Sequence, residues 1–364
     1  MSTNIAITPS SLRRRAPQRA TTCVVTFLAT LAAAFVPLLG FTTTVAHACA
    51  CGCSVFDVGG GNLPQENDSG GRIFTEWWHQ DQINNTVGTS KAPASINLDK
   101  RLTTDWFTIG GMYMFNREWG VMARLPYANR NLTTDTGGPL GIQTFNSKAL
   151  GDLEVMGMYT GFFSDMSTGV IFGLKLPTGT FTAPGLDRDN QLGTGSTDLI
   201  LGGFHRGMLS GDNAWQYFTQ ARYQQPFLYS AAADPQGFFD GNPGVVQLYK
   251  PSYQFDGSAG VLYNNLYKVW GFDKITPLFQ VIASHRDKDR GDAADQLNSG
   301  FDRLMVSPGI ELTKVLDEAN NRVLKFYVDV EIVTYFRANA ANNAGTEGQL
   351  VSPWLLKMVT SYNF

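Results

Sequence analysis

The chain is predicted to be all-β, a transmembrane antiparallel β-barrel of about 12 strands with short periplasmic turns and longer extracellular loops. Three observations predict this fold. An export signal opens the chain, and no later segment offers the ~18 apolar residues of a membrane helix. Long segments alternate apolar and polar side chains with period two. The connections between them alternate short and long from end to end. Composition agrees: 24 Phe, 13 Tyr, 7 Trp and 38 Gly stand among 364 residues, and charged residues make up 16%, against roughly 25% in soluble domains. A net charge of −3 with no basic block in the main body excludes nucleic acid as the natural partner. Four Cys cannot staple a disulfide scaffold of this size.

Residues 1–48 read as a cleaved signal peptide. Arg13, Arg14, Arg15 and Arg19 precede an apolar run from Val24 to Phe41, and Ala46-His47-Ala48 closes it as a small-x-small cleavage triplet. A membrane anchor is the competing reading of so long a run, but Pro37 and the triplet favour cleavage. Export then leaves 316 residues with 24 Lys+Arg against 31 Asp+Glu, a charge of −7, and three Cys.

Residues 49–70 are predicted as a periplasmic arm and 71–364 as the barrel. The arm carries Cys49, Cys51 and Cys53. Three thiols in five residues cannot all pair with one another. Soft thiolates suit Cu(I) or Zn(II); the other readings are a disulfide plus a free thiol, or lipid on Cys49 with the other two paired.

Strands are predicted near 71–85, 104–116, 119–131, 152–163, 167–178, 195–207, 214–226, 252–266, 275–287, 303–315, 322–336 and 350–364. In DLEVMGMYTGFF, Leu153, Val155 and Tyr159 take one face while Asp152 and Glu154 take the other. In RVLKFYVDVEIV, Leu324, Phe326, Val328, Val330 and Ile332 oppose Lys325, Tyr327, Asp329 and Glu331. Runs of this length suit tilted membrane strands better than soluble sheets. Pro126 and Pro308 lie inside strands, where a missing N–H predicts bulges or shifted limits. The segment 195–207 alternates poorly around Gly202-Gly203. The residues between 132 and 151 are predicted to be a long loop.

The last strand, WLLKMVTSYNF, places Trp354, Leu356, Met358, Thr360, Tyr362 and Phe364 on one face. A terminal Phe with Tyr362 two residues before it looks like the signal read by the outer-membrane barrel insertion machinery. Trp77, Trp78, Trp106, Trp119, Trp215, Trp270 and Trp354 are expected in two interfacial girdles.

The predicted lumen-lining positions are Glu76, Arg124, Arg130, Glu154, Lys175, Arg222, Asp256, Glu311, Lys325, Asp329, Glu331 and Lys357, six acids and six bases. Two uses follow from such a mixed lining. Salt bridges between opposite walls would narrow the pore, and a wet charged path would select a small solute.

The segment from Gly120 to Asp198 resembles the outer-membrane family named after a putative MetA pathway of phenol degradation. The likeness is carried by Arg124-Leu125-Pro126-Tyr127, Gly151-Asp152-Leu153, Gly173-Leu174-Lys175-Leu176-Pro177-Thr178-Gly179 and Leu192-Gly193-Thr194-Gly195-Ser196-Thr197-Asp198. The resemblance implies passage of aromatic or other hydrophobic small molecules.

Three functions are weighed: a passive channel in a Gram-negative outer membrane for small, hydrophobic or aromatic solutes; a structural or partner-docking barrel using the Cys arm; and an outer-membrane lipid hydrolase. Chemistry on lipid would need a nucleophile, base and orienting group in contact. The mature histidines, His79, His205 and His285, are predicted apart, with Ser284-His285 the one adjacent pair. The reading is therefore no enzyme, with outer-membrane lipid, the insertion machinery and a small solute as partners. The oligomeric state is left open. Asp287, Asp289 and Asp292 are expected in a solvated loop.

Overall fold

The computed structural model describes residues 70–136, 139–183, 190–211, 214–234, 245–264, 268, 270–291, 294, 299–339 and 348–364. The signal segment and the Cys49, Cys51 and Cys53 arm lie outside these residues.

The described chain forms 12 wall strands. They are β1 (Gly70–Gln82), β2 (Asp99–Met114), β3 (Trp119–Asp135), β4 in two segments (Ile142–Leu150 and Leu153–Tyr159), β5 (Thr168–Leu176) and β6 (Ser196–Met208). The second half continues with β7 (Trp215–Tyr229), β8 (Gln254–Tyr263), β9 (Lys274–Arg286), β10 (Phe301–Asp317), β11 (Arg322–Ala338) and β12 (Trp354–Asn363). Each pairs antiparallel with its sequence neighbours, and β1 pairs with β12, from Arg72–Asn363 to Gln80–Leu355, so the sheet closes. Closure leaves no wall edge of unpaired N–H and C=O groups, each of which would cost several kcal/mol in hydrocarbon.

Alternation decides which face is which. Ile73, Phe107, Ile109, Val155, Phe172, Leu174 and Leu201 are exposed on the outside, while Glu76, Arg124, Arg222, Asp256, Gln280 and Lys357 are buried inside. A soluble sheet protein has the reverse arrangement. Apolar groups outside a closed wall are matched to lipid, and the protein is an outer-membrane barrel.

Both described ends of the wall and the short turns share one end of the barrel, the periplasmic one. Tight turns there use left-handed residues, with φ of 53° at Met166 and 52° at Asn321. The opposite end carries longer connections, and several fold inward. Gln349–Val351 pairs with Asn84–Val87, which pairs with Ser90–Lys91. This small sheet sets Leu350 against the inward Leu102 and Leu132. Asn190, Gln191 and Leu192 are likewise buried, and Arg130 Nη1 donates to the Gln191 carbonyl at 2.9 Å.

The sequence reading needs correction at several places. Residues 132–151 are largely strand: β3 runs to Asp135 and β4 resumes at Ile142, paired from Tyr127–Leu150 to Asp135–Ile142. The outward Asn131, Thr133, Thr144 and Asn146 are polar, so this hairpin projects beyond the apolar band, and its lack of apolar contrast made it read as a loop. A bulge does occur beside Pro126. Between the pairs Arg124–Glu154 and Tyr127–Leu150, two residues of β3 face three of β4, and the Gly151 N–H donates to the Pro126 carbonyl at 2.8 Å. At Pro308 there is none, because the register passes through Phe279–Pro308 unbroken. The shifts on that part of the wall fall at Leu304/Met305 and Val315/Asp317 instead. The Gly202-Gly203 segment is one continuous strand, since small residues weaken the pattern without breaking the ladder.

The girdle expectation holds for some indoles and fails for others. Trp119 and Trp215 sit outside at the periplasmic rim, paired with Tyr159 and Tyr263 at ring distances of 4.8 and 4.9 Å. Trp77 and Trp354 take the outward face near the other rim, beside His79. Trp78 instead faces the lumen under the Lys357 ammonium at 5.0 Å, and Trp106 lies under Arg130 at 5.8 Å. Trp270 is in a turn and 88% exposed.

Candidate functional site in the barrel lumen

Height inside a tilted barrel is not read along hydrogen-bonded partners, because strands climb as they go round. One level can be followed from Phe74 on β1. Its partner on β2 is Gly110, and one inward position nearer the periplasmic end is Met112, which pairs with Met122 on β3. The same stepping leads through Met158 (β4), Ile171 (β5), Phe204 (β6) and Phe218 (β7). It continues through Leu262 (β8), Leu278 (β9), Gly309 (β10), Tyr327 (β11) and Val359 (β12), and returns to Phe74. Seven of the steps descend by two residues, so the shear is 14. With 12 strands this corresponds to a tilt of about 40° and a backbone radius of about 12 Å.

The ring is an apolar belt within an otherwise polar lumen. Phe74, Phe218, Leu278, Tyr327 and Val359 form one packed cluster with Met122 and Leu262 against it. Met112, Met114 and Met158 form a second, packed by Met122 and Ile171, so Met122 joins the two. Glycines let the rings lie on the wall. A Cβ at Gly110 would sit 2.1 Å from the Phe74 ring, one at Gly260 2.6 Å from the Phe218 ring, and one at Gly169 2.5 Å from the Phe204 ring. At Gly309 the space is already filled by Leu278 and the Asp329 Cβ.

Above the belt stands a charge network. The Arg124 guanidinium donates to Glu76 at 2.6 Å and lies 3.6 Å from Glu154. Arg222 grips Glu154 with two nitrogens, at 2.6 and 3.3 Å. Glu154 is on β4 and Arg222 on β7, a quarter turn apart, so this pair is a chord through the lumen rather than a contact along the wall. From Arg222 the network continues to Gln224 (3.1 Å), on to Asp198 (2.5 Å) and then to Lys175 (3.1 Å). Lys175 also donates to Asp152 at 3.0 Å and to Thr194. Asp152 in turn accepts from the Gly179 and Thr194 backbone N–H groups at 3.0 and 3.1 Å, tying these two residues to the lumen. On the far wall Gln280, Ser307 and Asp329 share hydrogen bonds of 3.1 and 2.5 Å.

The 12 sequence-selected residues all take inward positions, at different heights. Glu76, Arg124, Glu154, Lys175, Arg222, Asp256, Asp329, Glu331 and Lys357 are buried above the belt, and Arg130 is buried nearest the mouth. Glu311 and Lys325, paired at 2.9 Å, lie below it in a half-exposed periplasmic vestibule. Sequence reasoning did not single out Arg72, Asp152, Asp198, Arg206 and Arg303 as lumen residues. Parity would have found Arg303, which shares a face with Glu311, and Asp152, which shares one with Glu154. Asp289 departs from the solvated-loop expectation. It is buried and held by Arg286 at 2.8 Å and Tyr249 at 2.7 Å. Asp292 lies outside the described residues.

The histidines do not converge. His79 bonds Asp105 at 2.8 Å, His205 bonds Thr168 at 2.7 Å and Tyr217 at 2.8 Å, and His285 bonds Asp302 at 2.6 Å. All three are on the outward face. Ser284 is buried inside while its neighbour His285 faces out, so the adjacent pair is split by the wall. Tyr362 and Phe364 stack at 5.9 Å, and the Phe364 backbone exchanges hydrogen bonds of 2.7 and 2.9 Å with Gly71, sealing β1 to β12.

No family model matches the chain, and no curated protein matches it. Among solved structures it is similar to an outer membrane channel from Pseudomonas putida F1, at 12% identity and a TM-score of 0.55, covering 85% of this chain and 100% of that one. It is also similar to the β domain of the Bordetella autotransporter BrkA, at 14% identity and a TM-score of 0.46, covering 82% and 100%. A third is a Pseudomonas aeruginosa FadL homologue, at 8% identity and a TM-score of 0.38, covering 81% and 90%. The first likeness is one of fold, a barrel of this architecture.

Proposed function

We propose that the protein is a passive outer-membrane channel for small apolar solutes, single-ring aromatics among them, and not an enzyme. The observation that carries the reading is the apolar belt on the inside of the wall, because a barrel built only for stability or for polar traffic has no use for water-averse groups around its whole passage. The resemblance to the MetA-pathway family and the P. putida channel's fold point the same way. Split histidines support a transport barrel over a lipid hydrolase.

The test uses outer-membrane vesicles with an intact lipopolysaccharide leaflet, since plain phospholipid hardly resists an apolar solute. Vesicles carrying the protein should take up toluene several-fold faster than vesicles lacking it, with no gain for glucose. Equal toluene rates would overturn the channel reading.

Two further elements belong to this proposal. Tyr362 and Phe364 serve as the assembly signal for the barrel insertion machinery. Cys49, Cys51 and Cys53 supply thiolates that suit Cu(I) or Zn(II), a reading set against a disulfide with a free thiol or lipid on Cys49, and on it one Cu(I) per chain should bind the wild type and none the triple Ser variant. Stoichiometric binding to both would sink that assignment.

A further inference from the structure

The charge network explains how the upper lumen is braced, but it leaves the belt without a role. Charged groups lie on both sides of it: Arg72, Arg206, Glu311 and Lys325 below, Glu76 and Arg124 above. The belt side chains are themselves closed to solvent, with Phe218 1% and Met158 0% exposed. We propose that this belt is the channel's selectivity element, a collar that hydrated ions do not wet and that yields at its methionine arc to a single-ring apolar solute. The proposal rests on the channel reading above and names the part of the lumen that decides what passes.

Two features of the belt carry it. The first is continuity: every strand contributes an apolar side chain except β10, and there Gly309 leaves room that Leu278 already fills. An ion crossing such a layer gives up hydration with nothing to replace it, which is the physical basis of a dewetted barrier. The second is asymmetry. Phe74, Phe204 and Phe218 are seated on glycines of the adjoining strand, a fixed arrangement. From β2 to β4 the belt is Met112, Met122 and Met158, with Met114 packed beside them. Thioether chains are unbranched, have three rotatable bonds and re-pack at little cost, and sulfur–aromatic contacts are worth about 0.3–1.5 kcal/mol each. A flat apolar ring therefore finds one compliant, polarizable wall and one rigid aromatic wall. A sugar of the same size would surrender its hydrogen bonds to water there.

Planar-bilayer conductance and vesicle uptake of toluene test the two halves separately, each on protein shown to be folded by heat-modifiable gel mobility. Wild type should give no ion current above the bare bilayer. Phe218→Ser and Leu278→Ser should each raise conductance at least tenfold while toluene uptake persists. Folded Phe218→Ser and Leu278→Ser variants that both stay at baseline, or a wild type that conducts like a water-filled pore, overturn the collar. If Phe218→Ser does not fold, Leu278→Ser alone decides the point. Stiffening the arc with M112I, M122I and M158I should cut toluene uptake at least fivefold without opening an ion path, whereas Met208→Ile at the exposed rim should not. Unchanged uptake in the folded triple variant, or in Met122→Ile if the triple does not fold, removes the arc from the proposal. Absence of toluene uptake by wild type would refute the channel reading, and the conductance variants would still report on the ion barrier.

Discussion

Neutralising Glu154 removes a carboxylate that Arg222 and Arg124 both approach, at 2.6 and 3.6 Å. Glu154→Gln keeps the shape and an acceptor oxygen, so the change is one of charge. Taking one partner from a buried ion pair costs about 3–5 kcal/mol, because the cation left behind has already lost its water. Glu311→Gln is the internal control. Glu311 pairs with Lys325 at 2.9 Å, but the two side chains are 21% and 36% exposed. Water in the vestibule can take over the lost contact, so the cost should fall below about 1 kcal/mol. Urea unfolding of both variants in detergent micelles, followed by tryptophan fluorescence and gel mobility, gives the two numbers side by side. Equal losses, or a Glu154→Gln loss under about 1 kcal/mol, would refute the view that the chord between β4 and β7 is sealed from solvent.

Other perturbations test separate parts of the molecule. Gly260→Val drives a side chain into the Phe218 ring and the Gln280 Cβ, which lie 2.6 and 2.8 Å from where the new Cβ would stand, and should cost about 1–3 kcal/mol in the same urea assay; no cost would mean the ring is not seated on that glycine. Phe364→Ala strips the ring that covers Gly71 and should lower the yield of folded barrel in cells, read from the heat-modifiable band, while normal yield would count against Phe364 as a seam and assembly element. In the turn before β9, the Val315 backbone N–H, followed by Lys314, holds the Asp273 carboxyl below its ordinary range. That stabilisation is present above the unfolded carboxylate range and fades as pH falls through the lowered folded value. Asp273→Asn should therefore flatten the acid limb of a stability–pH profile, and an unaltered limb would show that the contact has no energetic weight.

Much of this architecture was legible because a membrane barrel wall is one residue thick, so each strand writes lipid and lumen on alternate positions. The run from Leu324 to Ile332 shows this directly, and its inward Lys325, Asp329 and Glu331 could be picked out by parity. Legibility failed where the surroundings cease to differ. Asn131, Thr133, Thr144 and Asn146 put polar groups on the outer face, while inside Leu132 stands beside Arg130, so no steady contrast between faces marks the strand and it looks like a loop. The belt was hidden for another reason. Phe218 stands on the same face as Gln216, Gln220 and Arg222, and Met158 on the same face as Glu154, so each looks like an isolated exception on its own strand. What turns exceptions into a ring is the stagger between strands, a property of closure that no single segment contains.

The β3–β4 hairpin, whose outer side carries Asn131, Thr133, Thr144 and Asn146, stands clear of the hydrocarbon. It is thus a mast on the cell's exterior, rooted in the wall yet bathed in the sugar zone of the outer leaflet. Antibodies, phages or spliced affinity tags could meet the living cell there while the passage below stays undisturbed.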